Sequence, residues 1–221
     1  MKFAKALEAL VLPHEFRYVK KRNAFVRSEA HGFAEFLWTC HPSVQSDTLG
    51  QLRSLVVGVR HNAVENFVNQ LGLVYGTENQ QATATVSCPL AYFPLRSGQS
   101  YSLFLRDQAA DSELQVAAAE VSTWLNTDLA LFFSKYASLA ECAQGLSSEP
   151  LAKSHALYNN YEPRMYRAIA SSCLSQTSGV AEQLKYWSAS YPSVLPQSVY
   201  SRVEKRLITL ADLLSDSQLG P

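Results

Sequence analysis

The sequence predicts an α+β fold, in which an antiparallel sheet of about five to six strands is covered by helices and the C-terminal third is helical. Two patterns indicate this class. Between residues 16 and 105, short aromatic and β-branched segments alternate with Gly, Asn, Ser and Asp, as is typical of strands joined by turns. From Asp111 onward, apolar residues recur every three to four positions, which is typical of helices.

The first half of the chain reads as one helix followed by a meander of strands. Helical spacing of apolar residues over 2–12 ends at Pro13. A hairpin follows, with its turn at Lys21-Arg22-Asn23, and then a strand over 33–40 that is apolar on both faces and therefore central. Residues 42–50 are expected to form a loop, and Leu55 to Arg60 a fourth strand.

The next segment returns once to helix before the last strands. A helix is expected from His61-Asn62 to a C-terminal cap at Gly72, and a polar loop over 77–81. Alternation over 83–92 predicts a strand, which Pro89 places at an edge or at a bulge. Residues 101–105 predict a sixth strand.

Helices account for the remainder. Asp111 or Ser112 is expected to cap the first, a second apolar stripe runs to about Cys142, and Gly145 to Pro150 reads as a break. Three further helices are expected near 155–174, 179–190 and 199–215. The interpretation is a sheet domain over 1–150 and a helical extension over 151–221, packed on the same domain.

Composition excludes some partners and leaves others open. The 221 residues carry 19 basic and 19 acidic side chains, so no global field draws the protein to nucleic acid or to an anionic membrane. Residues 61–150 hold nine acidic against three basic side chains, which makes this third the expected acidic surface. The N-terminal segment interrupts its apolar residues with Lys5 and Glu8 and reads as an amphipathic helix, so we expect a cytoplasmic protein.

Residues that could carry catalysis or bind a metal are scattered. Cys40 and His41 are adjacent on a strand, so their side chains point to opposite faces and cannot form a dyad with each other. His61 and Glu65 share a helix face, but the second histidine of a metalloprotease helix is absent. We therefore expect no catalytic residue, metal or cofactor. All four cysteines are expected to be free thiols in the interior: Cys40, Cys88, Cys142 and Cys173.

The hairpin over 17–27 carries five basic residues interleaved with aromatic ones. This pattern resembles a small platform for single-stranded nucleic acid. A solvated hairpin tip explains the same pattern, and nucleic acid is not the expected partner. An RNA-binding module therefore stays an alternative, as does a small enzyme whose site is assembled from scattered His, Cys and Glu.

One resemblance covers about residues 1–150. The features that carry it are Phe16, the Lys20-Lys21-Arg22 turn, Phe25 with Arg27, and the helix from Trp124 to Leu146. They resemble the bacterial DUF4304 family of unknown function, although Glu15 stands where that family often has Gly. Families of this kind often accompany polymorphic toxins, so the resemblance implies an immunity protein.

These observations favour a non-enzymatic protein that binds another protein, such as a toxin encoded by a neighbouring gene, and no membrane. An acidic helix surface provides complementary charge for a basic partner, and Tyr and Trp are favoured at interfaces. The expected contact residues are Glu113, Glu120, Asp128, Tyr158, Tyr161 and Trp187.

Overall fold

The computed structural model of the protein describes residues 2–41, 52–74, 76–89, 110–152, 157 and 160–218. The predicted loop over 42–50, the predicted strand over 101–105 and Tyr158 lie outside these residues.

The described strands form one five-stranded antiparallel sheet whose spatial order follows the chain. They are β1 (Arg17–Val19), β2 (Ala24–Glu29), β3 (Gly32–His41), β4 (Leu52–His61) and β5 (Val86–Pro89). In the first hairpin Tyr18 lies opposite Phe25, and Phe25 in turn lies opposite Phe36. Among the described strands, β3 is central and β5 lies at one edge of the sheet, in agreement with the prediction for each.

Nine helices belong to the described part of the chain. They are α1 (Lys2–Val11), α2 (Asn62–Val68), α3 (Thr77–Ala82), α4 (Asp111–Asn126), α5 (Asp128–Tyr136), α6 (Leu139–Ser147), α7 (Tyr161–Leu174), α8 (Val180–Ser190) and α9 (Tyr200–Gln218). The α+β class and the helical C-terminal part are confirmed. Gly72, with a φ of 66°, follows the short 3₁₀ turn that extends α2, as expected for a left-handed cap.

Three local predictions are wrong. The expected loop at Thr77 is α3, a helix without buried residues, so no apolar period marks it. Gly145 lies inside α6 instead of ending it. This position needs a glycine because a Cβ would lie 2.6 Å from Leu157 Cδ1. Neither Asp111 nor Ser112 occupies the N-cap of α4: Ala110 does, and its backbone N–H donates to the Glu113 carboxylate at 2.9 Å.

The chain divides into two compact units that differ from the predicted boundary at residue 150. Unit 1 comprises residues 1–59 and 87–135, and unit 2 comprises residues 60–86 and 136–221. Each unit is therefore built from two separate stretches of sequence.

Aromatic rings form the centre of unit 1. Phe36 of β3 lies 5.1 Å from both Phe16 and Phe25, measured between ring centroids, and Phe16 lies 5.4 Å from Phe133 of α5. Edge-to-face and stacked pairs at this spacing add to the free energy gained from burying apolar surface. Helix α1 covers this unit together with α4, whose inner residue Val121 is fully buried.

Helix α7 forms the centre of unit 2 and packs against α2, α6, α8 and α9. All but three of its fourteen residues are buried, including two arginines. Burying a charge costs free energy unless that charge is paired or hydrogen-bonded, so the cost of burying each arginine depends on its partners inside unit 2.

Candidate functional site

The exposed acidic side of α4 is the candidate functional site, and we call Glu113, Val116, Glu120 and Trp124 the α4 face. Their spacing of three and four residues places them in one row along the helix. The neighbouring side of α4 is apolar and buried, through Leu114, Ala117, Ala118, Val121 and Leu125. The row therefore lies at the edge of this buried side, where Glu113, Val116 and Glu120 are exposed and Trp124 is half-buried.

The carboxylates of this row differ in their surroundings. Glu120 is exposed, and no cation lies within ion-pair distance of it in the described chain. Glu113 is exposed as well, but its carboxylate accepts the Ala110 N–H and stabilises the start of the helix. Asp128, the first residue of α5, is half-buried. Of the three expected acidic contacts, Glu120 is therefore the one whose charge is fully available.

An apolar side chain accompanies the acidic ones. Val116 is 62% exposed and lies between Glu113 and Glu120 in the row. On α5, Leu131 is 47% exposed and follows Asp128 by one helical turn. Exposed apolar side chains beside charges are typical of a contact surface, in which the centre is apolar and the rim polar.

Tyr161 and Trp187 have a different role from the expected one. Tyr161 is 5% exposed and Trp187 is fully buried, and their rings pack edge to face at 6.0 Å inside unit 2. Burial raises the pKa of Tyr161 to about 12. In this conformation neither ring offers surface to a partner, so both contribute to the packing of α7 against α8.

Two of the aromatic rings that a nucleic-acid platform on the basic hairpin would use are not exposed. Phe16 and Phe25 are buried in the core, where they cannot stack on bases. Arg22 pairs with Glu35 at 2.5 Å and lies over the ring of Phe33, while Arg27 pairs with Glu29 at 2.6 Å. This arrangement favours the structural interpretation of the hairpin over the RNA-binding alternative.

The described thiols are unsuited to nucleophilic catalysis. Cys88, Cys142 and Cys173 are free and buried, and burial raises their pKa values to about 12, 12 and 11. A thiol reacts through its thiolate, which these pKa values suppress at neutral pH. No three His, Cys, Asp or Glu side chains among the described residues are placed to hold one metal ion.

Sequence reasoning missed a buried ion pair in unit 2. Glu65, which the sequence placed on one helix face with His61, is fully buried and accepts two hydrogen bonds from Arg167 of α7, at 2.9 and 2.7 Å. The hydroxyls of Thr83 and Thr85 donate to the same carboxylate at 2.9 and 3.1 Å. The apolar and small residues around Arg167 on α7 were the available signal, because an arginine in a buried helix needs an acidic partner.

Comparison of the chain with protein-family models, with curated proteins and with solved structures finds no match. The resemblance to the DUF4304 family stays a prediction. Within the described residues, no helix is both long enough and apolar enough to cross a bilayer.

Proposed function

We propose that this protein binds another protein through the α4 face, as an immunity protein that neutralises a cognate toxin encoded by a neighbouring gene. The observation that carries the proposal is the exposure of Val116, at 62%, between the carboxylates of Glu113 and Glu120. The toxin as partner and the cytoplasmic location are expectations from the sequence. The exposed residues of the α4 face indicate only which chemical groups the partner must present.

Charge defines that partner further. Helix α4 carries Asp111, Glu113 and Glu120 and no basic residue. Complementary charge speeds association and fixes the register of two surfaces, so the partner of the α4 face presents basic side chains around an apolar contact. A nuclease toxin fits the charge requirement, because an enzyme whose substrate is a polyanion presents basic side chains to it.

Binding to the product of the neighbouring gene, measured by co-purification and then by calorimetry, tests the proposal. We expect Glu120→Lys to weaken binding about tenfold through loss of charge complementarity. Val116→Asp should weaken it by about ten- to a hundredfold, because it places a charge in the apolar centre of the contact. Both positions are exposed, so the free energy of unfolding should change by less than about 0.5 kcal/mol.

A control variant separates the α4 face from general charge effects. Glu8 is exposed on α1 of the same unit, and Glu8→Lys makes the same change of net charge. Wild-type affinity for Glu8→Lys together with weakened binding for Glu120→Lys assigns the contact to α4. Equal affinities for all three proteins would rule out this face.

A further inference from the structure

A buried guanidinium in unit 2 has most of its hydrogen-bond donors unpaired. Arg164 of α7 is fully buried, and its Nη2 donates to the backbone oxygens of Glu149 and Ala152, at 3.4 and 2.9 Å. Its Nε and Nη1 have no acceptor in the described structure. A guanidinium carries five N–H groups, so the one on Nε and the two on Nη1 are left without a partner. A buried charge in this state is unfavourable, and acceptors supplied by a ligand would stabilise it.

The guanidinium is directed toward the N-terminal end of α7. Its Cζ lies 5.2 Å from the ring centroid of Tyr161, the first residue of the helix, and the Tyr161 hydroxyl is also buried without a hydrogen-bond partner. Burial raises the pKa of Tyr161 and the positive charge of Arg164 opposes that rise, which places the two groups close together. The side chain of the N-cap residue Asn160 accepts no hydrogen bond from the helix, so the positive end of the helix dipole adds to the charge of Arg164.

The carboxylates near this end of α7 form no ion pair with Arg164 in the described residues. Glu149 is exposed and contributes its backbone oxygen, and its charge does not restore the pKa of Arg164, which desolvation lowers. Glu162 is held by two arginines of α9, with Arg202 at 3.0 Å and Arg206 at 2.5 Å. Arg164 therefore keeps one positive charge that no described carboxylate pairs with.

Tyr186 of α8 is the exposed member of this group of side chains. It is 41% exposed, and its ring packs edge to face on Trp187 at 5.4 Å. Burial is the larger cause of the shifted pKa values of Arg164 and Tyr161, but the Tyr186 phenol also affects both, so it lies near them. Its hydroxyl makes one hydrogen bond within the described chain, to Ser147 O at 3.3 Å, which is long for an O–H donor.

We propose that Arg164 and Tyr161 bind a small monocarboxylate, which enters by displacement of the Tyr186 ring. The unpaired groups of these two residues can all donate, and a carboxylate only accepts, so its oxygens provide the missing partners. One carboxylate neutralises the single charge of Arg164, whereas a doubly charged phosphate would leave a buried negative charge. The rings of Tyr161 and Trp187 offer apolar surface to the carbon atoms of the acid.

Titration of the isotope-labelled protein with sodium acetate, in exchange for sodium chloride at constant ionic strength, tests this site. We expect saturable shifts of the Arg164 Nε–H and Trp187 indole N–H signals in NMR spectra. The affinity for acetate should be at least about fivefold higher than for acetamide, which has a similar shape and no charge. Absence of saturable shifts, which includes equal binding of chloride, or equal affinity for acetamide would overturn the proposal.

Variants of the two binding residues identify the site. Arg164→Met should abolish the acetate-dependent shift of the Trp187 indole, and Tyr161→Phe should weaken acetate binding about threefold by removing one hydrogen bond. Lys185→Met removes the same charge from an exposed position of α8 and should bind acetate as the wild type does. Tyr161→Phe retains the buried ring, so it tests the site even if Arg164→Met fails to fold. Wild-type acetate affinity in either variant would overturn the proposal.

The carboxylate of Glu149 is the competing partner for Arg164 within the described chain. Glu149→Gln should bind acetate with about the affinity of the wild-type protein, because the exposed Glu149 side chain forms no ion pair in the described structure. Saturable acetate binding by Glu149→Gln together with none by the wild type would overturn the proposal, since the protein's own carboxylate would then be the anion at Arg164.

Discussion

Two arginines one turn apart on α7 are both buried, but their surroundings differ. Arg167 faces the Glu65 carboxylate, whereas Arg164 donates through Nη2 to the backbone oxygens of Glu149 and Ala152, and its Nε and Nη1 have no acceptor. Desolvation accordingly lowers the pKa of Arg164. The free energy of unfolding should therefore depend on Arg167 far more than on Arg164.

Replacement of each arginine by Met makes this difference measurable by urea denaturation. Arg167→Met should lower the free energy of unfolding by about 3–5 kcal/mol, because it leaves the Glu65 carboxylate buried without its cation. Arg164→Met should change it by less than about 1 kcal/mol, since the charge it removes has no ionic partner within the described structure. Equal losses in the two variants would contradict this account.

Because the pKa values of the three described thiols are raised in the folded protein, the free energy of unfolding should fall as the pH becomes alkaline. Their ordinary value is 9.0, and in the folded protein it is about 12 for Cys88 and Cys142 and about 11 for Cys173. Their contribution is fully present below pH 9 and is lost as pH rises toward these values, because the unfolded chain ionises first. We expect a loss on the order of 1 kcal/mol per thiol by pH 10.

Urea denaturation at pH 8, 9 and 10 measures this slope, and a variant with Ala at all three positions should show a smaller fall over the same range. An unchanged free energy of unfolding up to pH 10 in the wild-type protein would show that the thiols ionise as readily in the folded state as in the unfolded one.

At the scale of elements, the sequence predicted those helices and strands whose buried apolar residues recur at a regular spacing. The spacing of Leu114, Val121 and Leu125 predicted α4, and the two apolar faces around Phe36 predicted the central strand β3. It failed at α3, which buries no residue and therefore has no apolar period. It failed at α6 as well, because a glycine that makes room for a neighbouring side chain looks in sequence like a glycine that ends a helix.

Substitution of Gly145 distinguishes these two roles. A Cβ at this position would lie 2.6 Å from Leu157 Cδ1 and 3.1 Å from Tyr136 Cε1. Gly145→Ala should therefore lower the free energy of unfolding by about 1 kcal/mol, after the gain in helix propensity is subtracted from the cost of overpacking. Thermal denaturation measures this loss, and a Gly145→Ala protein as stable as the wild type would show that α6 has room for the methyl group.

At the scale of the whole molecule, the two units could not be predicted because the contacts that define them are distant in sequence. Glu65 and Arg167 are separated by 102 positions, and only this kind of contact joins residues 60–86 to the helices beyond residue 136. The same limit affected the candidate site: the acidic row on α4 follows from helical spacing, but the burial of Tyr161 and Trp187 depends on neighbours that spacing does not reveal.

Truncation after residue 150 tests this division of the chain. The fragment lacks α7, around which unit 2 is packed, and leaves Glu65 without Arg167. We expect the 60–86 segment to lose protection in amide hydrogen exchange and the fragment to melt with reduced cooperativity. A fragment that melts in one sharp transition with residues 60–86 protected would support an independent domain over 1–150.

Neutralisation of the partner is the central claim, and growth of cells that express the toxin of the neighbouring gene tests it most directly. Co-expression of the wild-type protein or of Glu8→Lys should restore growth, and Val116→Asp and Glu120→Lys should restore it less at equal protein levels. Failure of the wild-type protein to restore growth would contradict the proposed function, and equal rescue by all four proteins would contradict the role of the α4 face.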